Sequence, residues 1–522
     1  RAVPQREGAR TAHQKQGSKG SSHRIVKEQA HSTRVNGKRR VEYFMLFLHI
    51  DLWLSTPTSY LYIMMSNSVP VIAIYDIGKT NKKVFLFNEA YEVVYEKSAT
   101  LPETTDEDGY PCENLELLTR WIRESFSEIT GLKAYHIVAV NFTSYGASFV
   151  HINRNGNPLT PLYNYLKPYP EDLKKKFYAR YGGEIMFSIH TASPVLGSLN
   201  SGMQLYRLKH EQKTMFGQIA FSLHLPQYIS YLLTAKACSD ITSIGCHTNL
   251  WNFPQQNYHE WVYREGVIDK LPPLFASDGI VKEITFSGRK IRAGVGLHDS
   301  SAALIPYLTH FREPFILIST GTWSISFNPF NSTPLTVEEL QQDCLCYLTY
   351  HGRPVKASRL FAGYEHEQQV KRLAAHFNKP ADYFTTVKFS KDITAALRLQ
   401  PAMRAKDAAS ITVFSERNLH TFSSYEQAYH QLMLDIMSRQ IHATGLVLKG
   451  TDVKRIFVDG GFGKNRLYMH LLAEAFPGIE VYAASIAQAT ALGAALAIHP
   501  HWNSKPVPAD TIKLMYYNTN IV

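Results

Sequence analysis

A histidine-aspartate pair, His298-Asp299, and three short glycine-containing turns are the parts of this sequence best suited to chemistry. The turns read Asp76-Ile-Gly-Lys-Thr-Asn-Lys-Lys83, Ser319-Thr-Gly-Thr-Trp-Ser324 and Val458-Asp-Gly-Gly-Phe-Gly-Lys-Asn465. Backbone N–H groups in such turns can hold phosphate, and a carboxylate can accept the proton of an attacking hydroxyl. Together these residues predict a site for phosphoryl transfer from a nucleotide to an alcohol.

The first turn follows an apolar run at residues 69–75 that is typical of a buried strand. Its glycine and threonine let N–H and hydroxyl groups approach phosphate, and the carboxylate of Asp76 can hold Mg²⁺ directly or through water. An ordinary hairpin turn is the alternative interpretation. A P-loop is excluded, because the glycine that it requires five positions before Gly78 is Ala73.

The second and third turns also follow apolar strands. The second presents hydroxyls and a glycine, which suits the β- and γ-phosphates from the opposite wall of a cleft. The third has consecutive glycines between a strand and a helix, which permit close approach to a flat ligand. Its spacing does not match the dinucleotide-binding fingerprint G-x-G-x-x-G, so a Rossmann site is not expected.

The pair His298-Asp299 begins a helix of small residues, which places a carboxylate at a helix N-terminus. Asp299 then acts either as a general base or simply as the N-cap of that helix. Upstream, Phe142-Thr-Ser-Tyr-Gly146 is either a sugar-binding turn or a plain β-turn. The segment Asp240-Ile-Thr-Ser-Ile-Gly245 is a further candidate for the wall of the pocket.

Both halves of the chain open with a strand, a glycine turn and a second strand, which predicts a duplicated domain. Residues 115–128, 425–448, 466–476 and 487–499 have the spacing or composition of helices. A length of 522 residues exceeds what one hydrophobic core usually serves. We therefore expect two domains with a cleft between them.

Positive charge is concentrated at the N-terminus. The formal net charge is +11, and residues 1–40 contain 11 Lys or Arg against 2 acidic residues. The nearly neutral remainder argues against nucleic-acid binding as the main function. We predict that residues 1–68 are a basic leader that is disordered or not native, with the authentic start at Met64 or Met65. Residues 44–54 are too few to span a bilayer, which takes about 20 apolar residues.

In this order, the motifs resemble the FGGY carbohydrate kinases of the actin-like ATPase superfamily over residues 69–500. They are most similar to the rhamnulokinase and L-fuculokinase branches. The resemblance implies an α/β fold with two actin-like (ribonuclease H-like) domains, each a mixed central sheet flanked by helices, hinged around a cleft. A sugar-binding N-terminal domain at 69–312 and an ATP-binding C-terminal domain at 313–500 are implied, with residues 501–522 as a C-terminal tail.

The resemblance also implies a role for each motif residue. Asp299 matches the catalytic base, Asp76 organises Mg²⁺, and Ser358 stands where related kinases have a sugar-contacting asparagine. The implied sugar-binding residues are Tyr145, Gly146, His298 and Ser300. The implied ATP-binding residues are Gly78, Lys79, Thr80, Asn81, Lys82, Lys83, Thr320, Gly321, Thr322, Gly460, Gly461, Phe462 and Asn465.

The implied activity is transfer of the γ-phosphoryl of MgATP to a primary hydroxyl of a ketose such as L-rhamnulose or L-fuculose. A kinase for xylulose, glycerol or another polyol remains an alternative, as does a catalytically silent sugar sensor of the same fold. A nucleic-acid binder is supported only by the charge of the leader. The five cysteines lack the paired spacing of a zinc site. Because they are also few and odd in number, we expect a protein of the reducing cytoplasm. We expect no nucleic-acid or membrane partner; a homodimer stays open.

Overall fold

Two mixed seven-stranded sheets form the framework of the computed structural model, which describes residues 68–399, 413–486 and 488–518. The predicted leader lies outside these residues except for Ser68, and so do Met64 and Met65. The strands, numbered along the chain, are β1 Val69–Ile77, β2 Lys82–Asn88, β3 Val93–Ala99, β4 Thr104–Thr105, β5 Pro111–Cys112, β6 Tyr135–Ser144, β7 Phe149–Ile152, β8 Phe221–His224, β9 Ser239–Asp240, β10 Trp251–Asn252, β11 Asn257–Tyr258, β12 Leu274–Phe275, β13 Ile280–Phe286, β14 Arg289–Gly294, β15 Leu297–His298, β16 Phe315–Thr320, β17 Ser324–Asn328, β18 Cys344–Leu348, β19 Pro354–Leu360, β20 Arg455–Gly460, β21 Glu480–Ser485 and β22 Lys513–Tyr517.

Helices cover the faces of both sheets. In chain order they are α1 Leu115–Thr130, α2 Glu171–Arg180, α3 Glu184–Thr191, α4 Ser201–Glu211, α5 Lys213–Gln218, α6 Leu225–Thr234, α7 Ile241–Ile244, α8 Glu260–Arg264, α9 Asp299–His310, α10 Val337–Gln341, α11 Ala362–His376, α12 Lys391–Arg398, α13 Tyr425–Leu448, α14 Arg466–Ala475 and α15 Ala489–Ala497. In the described part of the chain, none of these helices is long and apolar enough to cross a bilayer.

The first sheet is built around β1, whose apolar and β-branched residues are buried on both faces. It has the order β13-β14-β6-β1-β2-β3, with β15 paired to β6. β1 runs antiparallel to β2 and parallel to β6, and Asp76 is level with Thr143 of β6. The ends of β1 and β6 and the hairpin turn after β1 therefore meet at one edge of the sheet.

The second sheet repeats this arrangement. Its order is β18-β19-β17-β16-β20-β21-β22, in which β16 pairs antiparallel with β17 and parallel with β20. The glycine turns after β16 and β20 consequently meet at one edge of this sheet, as the turns of the first sheet do. The predicted α/β fold with two actin-like, mixed sheets is confirmed.

Two helices cross where the sheets meet. The alanine-rich α15 packs on β1 and β6 of the first sheet and on α9, although it comes late in the chain. Asn141 Nδ2 on β6 donates to the carbonyl oxygen of Ala494 at 2.8 Å. A side chain at Gly493 would overlap the carbonyl oxygen of Ala302 on α9, so the crossing depends on small residues.

The last described segment differs from the tail that we expected at residues 501–522. Lys513–Tyr517 forms β22, which pairs antiparallel with β21 at the edge of the second sheet. Tyr517 is buried and packs in the core with Val481. This short strand alternates too weakly in hydrophobicity for the sequence to reveal it.

Candidate active site

Asp299 is the first residue of α9, and the N-cap of that helix is His298, whose backbone is extended. The alternative that Asp299 is the N-cap is therefore wrong. The Oδ1 atom of Asp299 accepts hydrogen bonds from the backbone N–H of Ser300 at 2.6 Å and from its hydroxyl at 3.2 Å. The structure thus places Ser300 as a partner of this carboxylate.

The environment of Asp299 favours a carboxyl group that can exchange protons near neutral pH. About one third of the side chain is accessible (32%), yet the surrounding protein displaces much of its hydration. Burial raises the pKa of Asp299 to about 6, against the opposing effect of its hydrogen bonds with Ser300. A carboxylate with such a pKa is suited to work as a general base.

His298 is buried beside Asp299 and is held on several sides. Its Nε2 atom lies 3.2 Å from Asp299 Oδ1 and 3.1 Å from Cys246 Sγ, and its backbone N–H donates to Thr242 Oγ1 at 2.9 Å. Burial lowers the pKa of His298 to about 3, so the ring is neutral. Nδ1 has no hydrogen-bond partner among the described residues, and Nε2 makes its hydrogen bond with Cys246 Sγ while it lies in contact with Asp299.

Gly146 follows the end of β6 and touches the ring of His298. A Cβ atom at Gly146 would lie 2.7 Å from His298 Cδ2 and 2.9 Å from its Nε2 atom. The preceding Tyr145 is buried, and its hydroxyl donates to Glu113 Oε2 at 3.4 Å. The structure therefore brings together the predicted residues Tyr145, Gly146, His298 and Asp299.

Asp76 lies near the end of β1, close enough to Asp299 for the two carboxylates to repel each other. Thr490 of α15 donates to Asp76 Oδ2 at 2.6 Å. Burial raises the pKa of Asp76 to about 6; the bond from Thr490 opposes the rise and the charge of Asp299 adds to it. Two carboxylates that repel each other form a suitable site for a cation, because the cation reduces the repulsion.

The donor set around Asp76 is small. Within residues 68–399, 413–486 and 488–518, no cluster of three or more His, Cys, Asp or Glu side chains could hold a metal. Mg²⁺ is often bound by only one or two carboxylates, with substrate phosphates and water completing its octahedron. Asp76 fits such a site. Its Oδ2 atom accepts from Thr490, and its Oδ1 atom has no hydrogen bond among the described residues.

The lysines of the first turn do not share one role. The ammonium group of Lys82 is buried, bonded to Glu113, and directed at the carbonyl oxygens of Gly78 and Lys79. The prediction that Lys82 contacts phosphate therefore needs correction, because its three donors are already used. Lys79 pairs with Glu103 and Lys83 with Glu96, both at partly exposed positions. Thr80 and Asn81 are exposed at the tip of the turn.

Thr320 joins the second turn to the third. Its hydroxyl donates to the carbonyl oxygen of Asp459 at 2.6 Å and accepts from the N–H of Phe462 at 3.0 Å, while its carbonyl accepts from Gly461 N–H at 3.1 Å. Gly460 has φ +92° and sits against the Thr320 carbonyl, where a side chain would overlap it. The two predicted nucleotide turns are thus one hydrogen-bonded unit.

A cavity of about 650 Å³ opens beside this unit, a volume typical of small-molecule sites. Its lining includes four predicted ATP-binding residues and a segment that the sequence did not point to. The lining residues are Gly321, Gly363, His366, Phe384, Thr385, Thr386, Val387, Lys388, Gly461, Phe462, Lys464, Asn465 and Arg466. Thr322 adjoins the cavity as an exposed residue of the second turn.

Two of these predicted residues are also structural. The side chain of Asn465 caps α14 by accepting from the N–H of Tyr468 at 3.1 Å, and it donates to the hydroxyl of Tyr429 at 2.8 Å. The ring of Phe462 stacks on Tyr468 with centroids 4.6 Å apart. These contacts fix the cavity wall at Asn465 and Phe462.

Sequence reasoning missed several residues near His298 and Asp299. Tyr347 stacks on His298 at 5.8 Å between centroids, and Tyr165 interacts electrostatically with Asp299 and Lys79. Cys246 directly follows residues 240–245, which the sequence predicted as a part of the pocket wall. That segment was the only indication of a site in this region. No motif marked the two tyrosines, because they reach the site from distant parts of the chain.

Ser358 does not face the site. Its hydroxyl donates to the carbonyl oxygen of Ala443 at 2.6 Å, and its side chain is buried between β19 and α13. The implied correspondence with a sugar-contacting asparagine is therefore wrong for this position, because that face of β19 is covered by the helix.

Two family matches divide the chain in the same way as the two sheets do. The N-terminal domain of the FGGY family of carbohydrate kinases matches residues 71–304, and the C-terminal domain of carbohydrate kinase FGGY matches residues 312–506. The chain belongs to the FGGY family. Both halves of the candidate site, Asp299 with its neighbours and the cavity beside Thr320, lie within these matches.

Individual relatives are distant. A rhamnulokinase of Bacteroides thetaiotaomicron is 24% identical over 218 residues, which are 39% of this chain and 43% of the relative. The chain spans about half the length of the curated rhamnulokinases that it matches, 43% of one and 54% of another.

Solved structures resemble the fold over most of the chain. A carbohydrate kinase from Novosphingobium aromaticivorans has a TM-score of 0.69 and 22% identity, covering 86% of this chain and 94% of its own. A ligand-bound xylulose kinase from Lactobacillus acidophilus has a TM-score of 0.69 and 16% identity, covering 87% and 94%. At these identities the likeness is one of fold.

Proposed function

We propose that this protein is an ATP-dependent sugar kinase, which transfers the γ-phosphoryl group of MgATP to a primary hydroxyl of a ketose. The observation that carries the proposal is the position of Asp299. Its partly desolvated carboxylate lies at the start of α9, in contact with His298, which packs on Gly146, and within electrostatic range of Asp76. Membership of the FGGY family supports the same conclusion.

Asp299 acts as the general base in this proposal. Its carboxylate accepts the proton of the attacking hydroxyl while the new P–O bond forms, a contribution worth about 10²- to 10⁴-fold in rate. The Nε2 atom of neutral His298 lies 3.2 Å from Asp299 Oδ1, and the N–H of Ser300 donates to the same oxygen from the helix. The other carboxylate oxygen is thereby left for the substrate.

The nucleotide is assigned to the cavity beside Thr320, with its phosphates between the second turn and the first. Asp76 would hold Mg²⁺, with Thr490 fixing the orientation of its carboxylate. Bound Mg²⁺ supplies charge neutralisation on the transferring phosphoryl group. Thr322 and the backbone of the first turn add donors to the same phosphates, and closure of the cleft excludes water.

The proposed acceptor is a deoxy-ketohexose such as L-rhamnulose or L-fuculose. Support comes from the motifs shared with the rhamnulokinase branch and from the side chains around His298, which include Cys246 and Tyr347. An apolar and aromatic wall suits a sugar that carries a methyl group in place of a hydroxyl.

A coupled assay of ADP release across a panel of sugars tests this assignment. The panel should contain L-rhamnulose, L-fuculose, D-xylulose, glycerol and gluconate, with sugar-free idle hydrolysis as the baseline. We expect the highest kcat/KM for a deoxy-ketohexose. A higher kcat/KM for xylulose or glycerol would show that the acceptor is that compound and not a deoxy-ketohexose. Tight sugar binding without phosphoryl transfer would favour the catalytically silent sensor.

A cytoplasmic location without nucleic-acid or membrane partners is part of the same proposal. All five cysteines are buried and free, which supports a reducing compartment. A homodimer stays a prediction, and a sedimentation experiment on the purified chain checks it.

A further inference from the structure

The first turn contains a buried cation whose bonds are all within the protein. The Nζ atom of Lys82 lies 2.9 Å from Glu113 Oε2, 2.9 Å from the carbonyl oxygen of Lys79 and 3.3 Å from that of Gly78. The side chains of Lys82 and Glu113 are 1% and 3% accessible. An ammonium group has three protons, so these three acceptors use all of them.

These bonds determine which way the peptide groups of the turn face. A trans peptide is planar, and its C=O and N–H bonds point in opposite directions. Because Lys82 draws the carbonyl oxygens of Gly78 and Lys79 inward, the N–H groups of Lys79 and Thr80 are turned to the outer side. Neither N–H donates to another residue that the structure describes.

The turn lies near the candidate active site. Tyr165 interacts electrostatically with both Lys79 and Asp299, and Asp76 is the penultimate residue of β1, the strand that leads into the turn. Two successive N–H groups of a turn without a described acceptor can donate to the oxygens of an anion.

We propose that Lys82 and Glu113 are positioning residues: the buried pair orients the N–H groups of Lys79 and Thr80 to bind the terminal phosphates of the nucleotide. This inference rests on the proposed function and deepens it. Lys82 acts through the backbone and does not itself touch the ligand, and Glu113 supplies the counter-charge that allows an ammonium group to be buried.

Energetics alone do not account for such a pair. Buried ion pairs can often be replaced by apolar side chains without loss of stability, whereas removal of one partner leaves the other charge buried and unpaired. Glu113 Oε2 also accepts from Tyr145, next to the sugar-side glycine. The pair therefore ties the phosphate side of the site to the sugar side.

The test compares the binding of MgATP and of AMP by calorimetry, together with thermal stability, in two variants and a control. The variants are Lys82→Met and the double variant Lys82→Met/Glu113→Gln, which leaves no buried charge unpaired. The control is Lys356→Met, because Lys356 is 2% accessible and lies 2.9 Å from Glu339, outside the candidate site.

Lys82→Met is expected to weaken MgATP binding by about 10-fold or more, since two hydrogen bonds to a charged group are lost, and to leave AMP binding within about twofold. The double variant should regain thermal stability without regaining MgATP affinity. Lys356→Met should lower the melting temperature and leave both affinities unchanged.

The inference is overturned if Lys82→Met binds MgATP normally, if AMP binding falls equally, or if MgATP affinity returns with stability in the double variant. A native protein that binds no MgATP would overturn the proposed function together with the inference. Normal MgATP binding that is insensitive to Lys82 would overturn the inference alone.

Discussion

At the scale of single residues, the candidate site depends on three side chains that constrain one another. Gly146 leaves room for His298, His298 Nε2 lies 3.2 Å from Asp299 Oδ1, and Ser300 donates to the same carboxylate oxygen. The consequence is one carboxylate with a fixed orientation, and burial raises its pKa against the effect of the bonds from Ser300. Its residue types were evident in the sequence, whereas the contacts between them were not.

The pH dependence of turnover follows from the pKa of Asp299. A general base works only when ionised, and burial raises the pKa of this carboxyl group to about 6. We expect kcat/KM for the sugar to be constant above about pH 7 and to fall about tenfold per pH unit below 6. A pH–rate profile between pH 4.5 and 8.5 checks this, and a profile that stays flat down to pH 5 would contradict it.

Enlarging Gly146 should displace His298. The Cβ atom of Gly146→Ala would lie 2.7 Å from His298 Cδ2, so the ring must shift and its contact with Asp299 must change. We expect kcat/KM for the sugar to fall about 10- to 100-fold with little change in nucleotide affinity. Steady-state kinetics measures both. Gly217→Ala is the control, because no atom lies within 4 Å of its added Cβ.

At the scale of elements, helices α9 and α15 connect the two carboxylates of the site. α9 begins with Asp299, α15 carries Thr490, which bonds to Asp76, and the two helices cross at Ala302 and Gly493. The small-residue composition of residues 487–499 indicated close packing, and the structure describes a helix at Ala489–Ala497. The sequence did not show that this helix packs on the first sheet, since that contact joins residues about 400 positions apart.

The crossing should tolerate no larger side chain. A Cβ atom at Gly493 would overlap the carbonyl oxygen of Ala302, and backbone cannot move aside as a flexible side chain can. We expect Gly493→Ala to lower the free energy of unfolding by at least about 2 kcal/mol, which is within the range for overpacked cores. Urea denaturation measures it. Gly445→Ala in α13, where the added Cβ meets nothing within 4 Å, should be neutral or stabilising.

At the scale of the whole molecule, two similar sheets each present glycine turns at one edge. Alternation, apolar runs and turn residues were enough to predict β1, β16, β20 and five of the helices, α1, α9, α13, α14 and α15; α13 has the predicted bounds, Tyr425–Leu448. Most of the other described helices and two further features were not predicted. The edge strand β22 is short and exposed, and the cavity segment at Phe384–Lys388 carries no motif and is placed only by tertiary packing.

Residues 1–67 should be dispensable for catalysis. Both family matches and every residue of the candidate site lie within 71–506. We expect a chain that begins at Ser68 to retain the kcat and KM of the full chain. Any salt-dependent binding to nucleic acid should disappear with the basic segment, because such binding arises from Lys and Arg contacts with phosphates. Kinetics and a DNA-binding titration at two salt concentrations check both statements, and a loss of turnover on truncation would contradict the first.

The most direct test of the account is the rate of phosphoryl transfer to the best acceptor sugar by Asp299→Asn, measured together with its affinity for MgATP. Asparagine keeps the size and most hydrogen bonds of the side chain but accepts no proton. The account predicts a loss of at least about 10²-fold in kcat with MgATP affinity unchanged. Near-normal turnover in that variant would show that another group, or none, takes the proton.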